Sequence, residues 1–339
     1  MSANVTIKEI AKHAGVSVGS VSHVINGSAG VGPDIKARVE RAIADLGYTP
    51  NPVARGLRQQ RTRMIAMIIP DITNPYFPSV VRGAEDLAFE HDLQVVLCNT
   101  DNNPVKEAAY LRTMASYSLS GLLIIPSVGD EQNHPLHDGR LSGIPTLCLD
   151  RKPVHWDGDV IVSDNAEGGR LVARHFLQAG HTRIAIIRGP DQFSNAFDRQ
   201  WGFLSELTSS GLHTPDDYIE QGAFDIDSGR RAAQRLLSLP APPTAIFASN
   251  DLMALGVLSA LEARGLSCPA DVSVIGFDNL DVAAITRPGL TTVDQSGYTL
   301  GRTGLSRLLA RMEAPDVAPE TLQLPVRLVH RGSVCPPQA

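Results

Sequence analysis

At 339 residues the chain is longer than one hydrophobic core usually supports, so a small module beside a larger body is the first division to look for. A composition of 43% hydrophobic and 19% charged residues, with mean hydropathy near zero, excludes a disordered chain, and no run approaches the 18 or so apolar residues of a membrane helix. The net charge of -6 is unevenly spread: residues 1–63 hold nine Lys/Arg against four acids, a net of +5, which leaves -11 for the remainder. A basic head on an acidic body suits contact with phosphates, whose neutralisation supplies most non-specific affinity for DNA. Cys98, Cys148, Cys268 and Cys335 lie far apart, with no CxxC pair and no His spacing suited to zinc, so reduced thiols, no metal and no other cofactor are expected. The N-terminus, MSANVTIKEIAKHAG, carries charges where an export signal needs an apolar run; a cytoplasmic protein is expected.

The head opens with Thr6-Ile7-Lys8-Glu9, a capping box that starts a helix, and Ile7, Ile10, Ala11 and Ala14 then fall on one face before Gly15. Ser17 caps a second helix from Val18 to about Ile25, ended by Asn26-Gly27. Two short helices joined by a tight glycine-containing turn form a helix-turn-helix. Gly32-Pro33-Asp34 begins a third helix with the stripe Ile35, Val39, Ala42, Ile43 and Leu46, and Gly47 ends it. Asn51-Pro52 repeats the start signal before Val53–Gln60, a stretch too short for a stable isolated helix, which is expected to fold on docking. Gly15-Val16-Ser17-Val18-Gly19 fits the G-x-S-x-G pattern of hydrolases, but that motif needs a buried strand before it, and here an amphipathic helix precedes it.

From Met64 onward short apolar runs alternate with helical patterns. Strands are expected at Met64–Pro70, Leu93–Cys98 and Gly121–Pro126, with helices at Ser79–His91 and Val105–Ser116. A second round has strands at Arg183–Arg188, Ala245–Ala248 and Val272–Phe277, with helices at Glu167–Ala179, Phe197–Ser210, Ser228–Ser238 and Leu252–Arg264. Two doubly wound parallel lobes are implied. Ligands of such sheets sit outside the carboxyl ends of the strands, and the residues there are polar at almost every turn. They run Asp71-Ile72-Thr73-Asn74-Pro75-Tyr76-Phe77, Asp150-Arg151, Asp198-Arg199, Ser249-Asn250-Asp251, Asp278-Asn279 and Asp294-Gln295. Each has a structural alternative, as a helix cap or an ion pair; their recurrence at corresponding strand ends favours a binding site.

The head motif, from Thr6-Ile7-Lys8-Glu9-Ile10-Ala11 through Gly15-Val16-Ser17, Val21-Ser22-His23-Val24-Ile25-Asn26 and Gly47-Tyr48 to Asn51-Pro52-Val53-Ala54-Arg55-Gly56-Leu57, resembles the headpiece and hinge of the lactose/galactose-repressor (LacI/GalR) family. The resemblance extends over essentially the whole chain. It implies an all-α helix-turn-helix headpiece (1–50), a hinge helix (51–62) and a two-lobed α/β core like a periplasmic binding protein (63–339). The N-lobe would be about 63–162 and 295–324, the C-lobe about 164–292 and 326–339. By the same resemblance Val18, Gly19 and His23 meet base edges and Leu57 wedges between central base pairs. Thr6, Ser17, Ser20, Ser22, Asn26, Arg55 and Arg58 complete the DNA-binding set. Val and Gly offer little direct readout, so His23, with Ser20 and Ser22 nearby, would carry more of it.

The resemblance also implies an effector site in which Asn74, Asp150, Arg151, Asn195, Arg199, Asn250, Asp278 and Gln295 bond sugar hydroxyls, while Tyr76, Phe77 and Phe224 cover apolar ring faces. The expected partners are a double-stranded, pseudo-palindromic operator, a small sugar or sugar derivative, and a second copy of the chain, with no membrane. The chain ends without heptads for a tetramerising coil, so a homodimer is expected. A purine is the alternative effector. A sugar-binding transport protein would have no use for the basic head, and a sugar hydrolase would need a carboxylate pair or metal cluster that the sequence does not offer.

Overall fold

Thr6 begins the first helix through both arms of its capping box. Its hydroxyl accepts from Glu9 N (3.4 Å), and the Glu9 carboxylate accepts from Thr6 N (2.7 Å). α1 (Ile7–Ala14) ends at Gly15 in the left-handed conformation, φ 63°; α2 (Val18–Ile25) and α3 (Pro33–Leu46) follow. Ser17 Oγ accepts from Ser20 N (3.1 Å), and Ile10, Val21 and Val39 are fully buried between the three helices. Arg38 of α3 turns inward, donating to Ala14 O (2.5 Å) and Gly15 O (3.0 Å), so this cation satisfies carbonyls that a helix end leaves open. The computed structural model describes residues 5–25, 31–48, 62–127, 136, 141 and 143–338. Asn26, Arg55, Leu57 and Arg58 of the expected DNA-binding set lie outside them. Head and body are separate compact units, Met1–Thr62 and Arg63–Ala339.

The body holds two six-stranded sheets. The first has the order β11-β5-β4-β3-β1-β2, from β1 (Met64–Ile69), β2 (Gln94–Asn99), β3 (Gly121–Ile124), β4 (Thr146–Leu149), β5 (Asp159–Ser163) and β11 (Thr321–Leu324). The second has the order β12-β10-β9-β8-β6-β7, from β6 (Ile184–Arg188), β7 (Ile219–Gln221), β8 (Ala245–Ala248), β9 (Ser273–Phe277), β10 (Thr291–Asp294) and β12 (Arg327–Val329). Central strands such as MIAMII in β1 are apolar throughout because helices cover both faces. In the first lobe these are α4 (Tyr76–Glu90), α5 (Pro104–Met114) and α11 (Gly297–Glu313). In the second they are α6 (Asn165–Gln178), α7 (Ser194–Ser209), α8 (Ile226–Leu236), α9 (Asp251–Ala263) and the short α10 (Asp281–Ile285). Three helix pairs meet backbone to backbone at glycines: a Cβ on Gly83 or Gly301 would strike the partner backbone in α4–α11, on Gly169 or Gly202 in α6–α7, and on Gly229 or Gly256 in α8–α9.

Two expectations need correction. The second sheet is not wholly parallel, since β12 pairs antiparallel with β10. The reason is geometric: both sheets turn their carboxyl ends to the same cleft, so a chain leaving β11 there and re-entering after two residues must run against β10. Helices also begin earlier than their apolar stripes suggested, α4 at Tyr76 rather than Ser79 and α7 at Ser194 rather than Phe197. Their first turns carry the cleft residues and so lack the periodic pattern.

At the far end of the first sheet, Asp159 opens β5 with its side chain buried. It accepts from Arg307 Nη2 (2.9 Å), Arg311 Nε (2.8 Å) and Glu320 N (3.0 Å), joining the last turns of α11 to the sheet. Burial alone would raise its pKa, but the two guanidiniums and the Glu320 N–H hold it below the usual value. Its contribution to stability is therefore full above the ordinary carboxylate range and is lost as pH falls through the lowered value. Asp159→Ala removes the carboxylate that the two guanidiniums share, leaving Arg307 with Glu320 at 3.5 Å and Arg311 with backbone carbonyls, and should cost about 2 kcal/mol in denaturant unfolding. The variant should also lose less stability than the wild type on acidification.

Candidate functional site

All eleven residues expected to contact an effector line one cavity of about 280 Å³ between the lobes, at the carboxyl ends of both sheets. Asn74, Tyr76 and Phe77 follow β1, and Asp150 and Arg151 follow β4; Asn195 and Arg199 sit on α7, Asn250 follows β8, Asp278 follows β9, and Gln295 follows β10. In each sheet the second strand in sequence lies outside the first and the third lies on its other side, so the cavity faces the points where strand order reverses.

Four buried charges dominate it. In the second lobe Arg199 donates to Asn165 Oδ1 (2.8 Å) and Ser249 O (2.7 Å), lies over the Phe277 ring, and stands 3.8 Å from Asp278. Asp278 accepts from Gln295 Nε2 (2.5 Å). In the first lobe Arg151 donates to Asn102 Oδ1 (3.0 Å) and Pro126 O (2.9 Å), stacks on Phe193, and stands 3.8 Å from Asp150. Asp150 is shared across the cleft: Tyr76 donates to Oδ1 (3.4 Å) from its own lobe and Asn195 to Oδ2 (2.8 Å) from the other. Asn74 and Asn250 also serve as turn and helix caps, accepting from Tyr76 N and Met253 N, so the structural and the binding readings coexist in one side chain. Arg151 Nε and Gln295 Oε1 are buried with no hydrogen-bond partner among the described residues.

Burial, together with the negative charges of Asp150 and Asp278, drives the Tyr76 hydroxyl pKa well up, so the phenol stays a donor. Burial lowers Arg151 to about 10, opposed by Asp150. It also raises the Asp278 carboxyl well above its usual value, with Arg199 only partly compensating. Asn102 was not foreseen, although Asp101-Asn102-Asn103 is the polar end of β2 and the strand-end rule reaches it. Asp71, Thr73, Ala223, Asp225 and Leu252 also line the cavity.

On the head, Thr6, Ser17, Val18, Gly19 and His23 are exposed, and Ser20 and Ser22 are half-buried. Val18 is 43% exposed, an apolar side chain presented outward at the start of α2. Among the described residues no three His, Cys, Asp or Glu could hold a metal ion, and no helix is long and apolar enough to cross a membrane.

Comparison with known proteins bears on both parts. Residues 6–51 match the bacterial regulatory proteins of the lacI family, and residues 173–334 match a periplasmic binding protein-like domain. The ribose operon repressor of Escherichia coli (strain K12) is 37% identical over 328 residues, 97% of this chain and 99% of that protein. The chain belongs to the LacI family. Another LacI-family relative, the HTH-type transcriptional repressor PurR of Photobacterium profundum, is 35% identical over 97% of this chain and 98% of its own length. Among solved structures, the Lac repressor dimer bound to operator and the anti-inducer ONPF superposes with a TM-score of 0.89 at 28% identity, covering 98% of this chain and all of that one. A LacI-family regulator from Enterococcus faecium with bound ribose gives a TM-score of 0.73 at 32% identity, over 81% of this chain and all of that one. The chain is accordingly a ligand-responsive DNA-binding repressor and not an enzyme.

The raised Asp278 carboxyl has a consequence for this LacI-family core. A folded pKa above the unfolded one means that the native state holds its proton longer, so stability falls as pH rises through the raised value. Asp251, pushed up to about 7 by burial, acts in the same sense. As pH rises from the ordinary carboxylate range, the melting temperature of the ligand-free wild type should therefore fall more than that of Asp278→Asn, which keeps the shape without the charge. A steeper fall in the variant would contradict this assignment.

Proposed function

We propose that this chain represses transcription as a homodimer on a pseudo-palindromic operator and that a neutral sugar of aldopentose size, held between the lobes, controls it. The observation that carries the reading is the balance of the cavity: two buried carboxylates, two buried guanidiniums and a ring of amides around about 280 Å³. That set offers acceptors and donors in several directions, with the two carboxyls set against the two guanidiniums, which suits a compact polyol. The volume lies just below the range of about 300–1,000 Å³ for drug-sized ligand sites, enough for one ring rather than two. Tyr76 and Phe77 meet edge to face, 5.3 Å between ring centroids, and give an apolar wall for the C–H face of such a ring. The ribose operon repressor at 37% identity supports the same choice.

A purine base is the second reading, favoured by the PurR relative and by the three aromatic rings at the cavity. On either reading the ligand acts by binding the two lobes together. It need only prefer one arrangement of the lobes to shift operator affinity, by a coupling of about 1–3 kcal/mol. On the head, α2 would enter the major groove, with the residues around Leu57 at the operator centre.

Titration calorimetry with D-ribose, other aldoses and purine bases tests the ligand, and selection of duplexes from a random pool supplies the operator. D-ribose should bind and alter affinity for the selected duplex. Asp278→Ala should keep duplex binding and lose the response, whereas Leu57→Ala should lose the duplex and keep the sugar. Binding of a purine base with no heat from any aldose would replace the first reading with the second. No preference for any duplex would overturn both.

A further inference from the structure

One buried carboxylate near the cleft is not part of its lining. Asp251, the first residue of α9, is 0% exposed and does not border the cavity. Asn250 already caps α9, so the helix end does not need Asp251 for that purpose. The carboxylate reaches sideways under the turn that bears Asp278. Its Oδ2 accepts from Leu280 N (2.8 Å) and its Oδ1 accepts from Thr292 Oγ1 (2.6 Å). It thus holds the chain directly after Asp278-Asn279 and fastens that turn to β10. β9 has a glycine where the carboxylate crosses: a Cβ at Gly276 would collide with Asp251 Oδ1.

The turn needs holding. Asp278 has φ 114° and Asn279 φ 55°, two successive residues with side chains in a region that L-residues enter only when their surroundings impose it. Asn279 is gripped independently: Arg331 Nη2 donates to its Oδ1 (2.7 Å), and its N–H donates to Thr292 Oγ1 (3.3 Å). Thr292 therefore joins Asp251 to the turn, and three residues further along the same chain Gln295 bonds Asp278 inside the cavity. Burial pushes the Asp251 carboxyl up to about 7, so its place here is costly to maintain.

We propose that Asp251 is a positioning residue for the effector: acting through Leu280 N–H and the Thr292 hydroxyl, it keeps Asp278 in the strained conformation that aims its carboxylate into the cleft beside Arg199 and Gln295. The proposal rests on the reading of Asp278 as an effector contact. A carboxylate serving only the stability of the second lobe would lower the melting temperature when replaced and leave the affinity of the folded protein alone. A positioning residue lowers the affinity of folded protein, and does so only while Asp278 is there to be positioned.

The test uses the full chain at a temperature where every variant is folded. D-ribose is titrated into the wild type, Asp251→Asn, Asp278→Asn, the double variant and Gly276→Ala, and amide hydrogen exchange is followed on each protein without sugar. Asp251→Asn should weaken ribose by about tenfold, as expected for loss of a charged buried hydrogen bond. It should add little to Asp278→Asn, and Gly276→Ala should reproduce the loss by displacing the carboxylate. Faster exchange should be confined to residues 277–281. Unchanged ribose affinity in folded Asp251→Asn, full additivity with Asp278→Asn, or exchange raised evenly across the second lobe would each overturn the proposal. Should the wild type bind no aldose, the sugar reading itself falls, and exchange then decides the anchor alone: confined loosening upholds it and uniform loosening overturns it.

Discussion

Four formal charges taken out of water, two in each lobe, set the terms for the rest of the cleft. Each desolvated ion costs several kcal/mol unless neighbours replace its hydration, so the surroundings of Asp150, Arg151, Arg199 and Asp278 are constrained before any ligand is considered. Arg199 is served by its own lobe, whereas Arg151 takes one of its supports, the Phe193 ring, from across the cleft. Arg199 is held by Asn165, a backbone carbonyl and the Phe277 ring, and Arg151 by Asn102, a backbone carbonyl and the Phe193 ring. Their planar forks are fixed in advance, which lowers the ordering cost of binding. The carboxylates differ. Asp278 is met by Gln295 of a crossing segment, whereas Asp150 is met from across the cleft by Asn195, so with Arg151 on Phe193 two of the four charges already reach the other lobe.

Fixed charges are useful only on rigid supports, and the helix pairs provide them. Where Gly169 of α6 approaches the carbonyl of Arg199 in α7, no side chain separates the two helices, and the residue whose backbone is pinned is itself a cavity residue. The same device in α4–α11 braces the helix that starts with Tyr76 and Phe77. Small adjustments within a lobe would bring backbone into backbone.

Much of this was legible in the residues. The capping box, the glycine stops and the polar strand ends each record a local requirement, and the residues taken from those ends share one cavity. Less legible was whatever depends on two distant segments at once. Asp251 reads as the acidic first turn of a helix; only β9 and β10 packed around it reveal what its carboxylate holds. β12 is three residues long, and its direction follows from where the linker enters, which no pattern inside it encodes. Helix starts at the cleft escape the periodic pattern because polar cleft residues there replace the apolar stripe.

The linkers give the cavity its leverage. Asp294 accepts from Ser296 N (2.9 Å) through one oxygen and from Arg327 Nη2 (2.8 Å) through the other, and Ser163 Oγ donates to Gln295 O (3.5 Å), so all three crossing segments are bonded to one another. Ser296 sits at φ 42°, a conformation that bends the chain sharply between β10 and α11. Gln295 belongs both to this hinge and to the cavity: its carbonyl is held by Ser163, its amide nitrogen by Asp278, and its side-chain oxygen is without a partner among the described residues. A ligand lodged wholly in one lobe would bind without shifting any equilibrium, because it would meet both arrangements equally. One that also engages Gln295 or Asp150 interacts differently as the hinge turns, and that difference in interaction is the free energy available to change the grip on DNA.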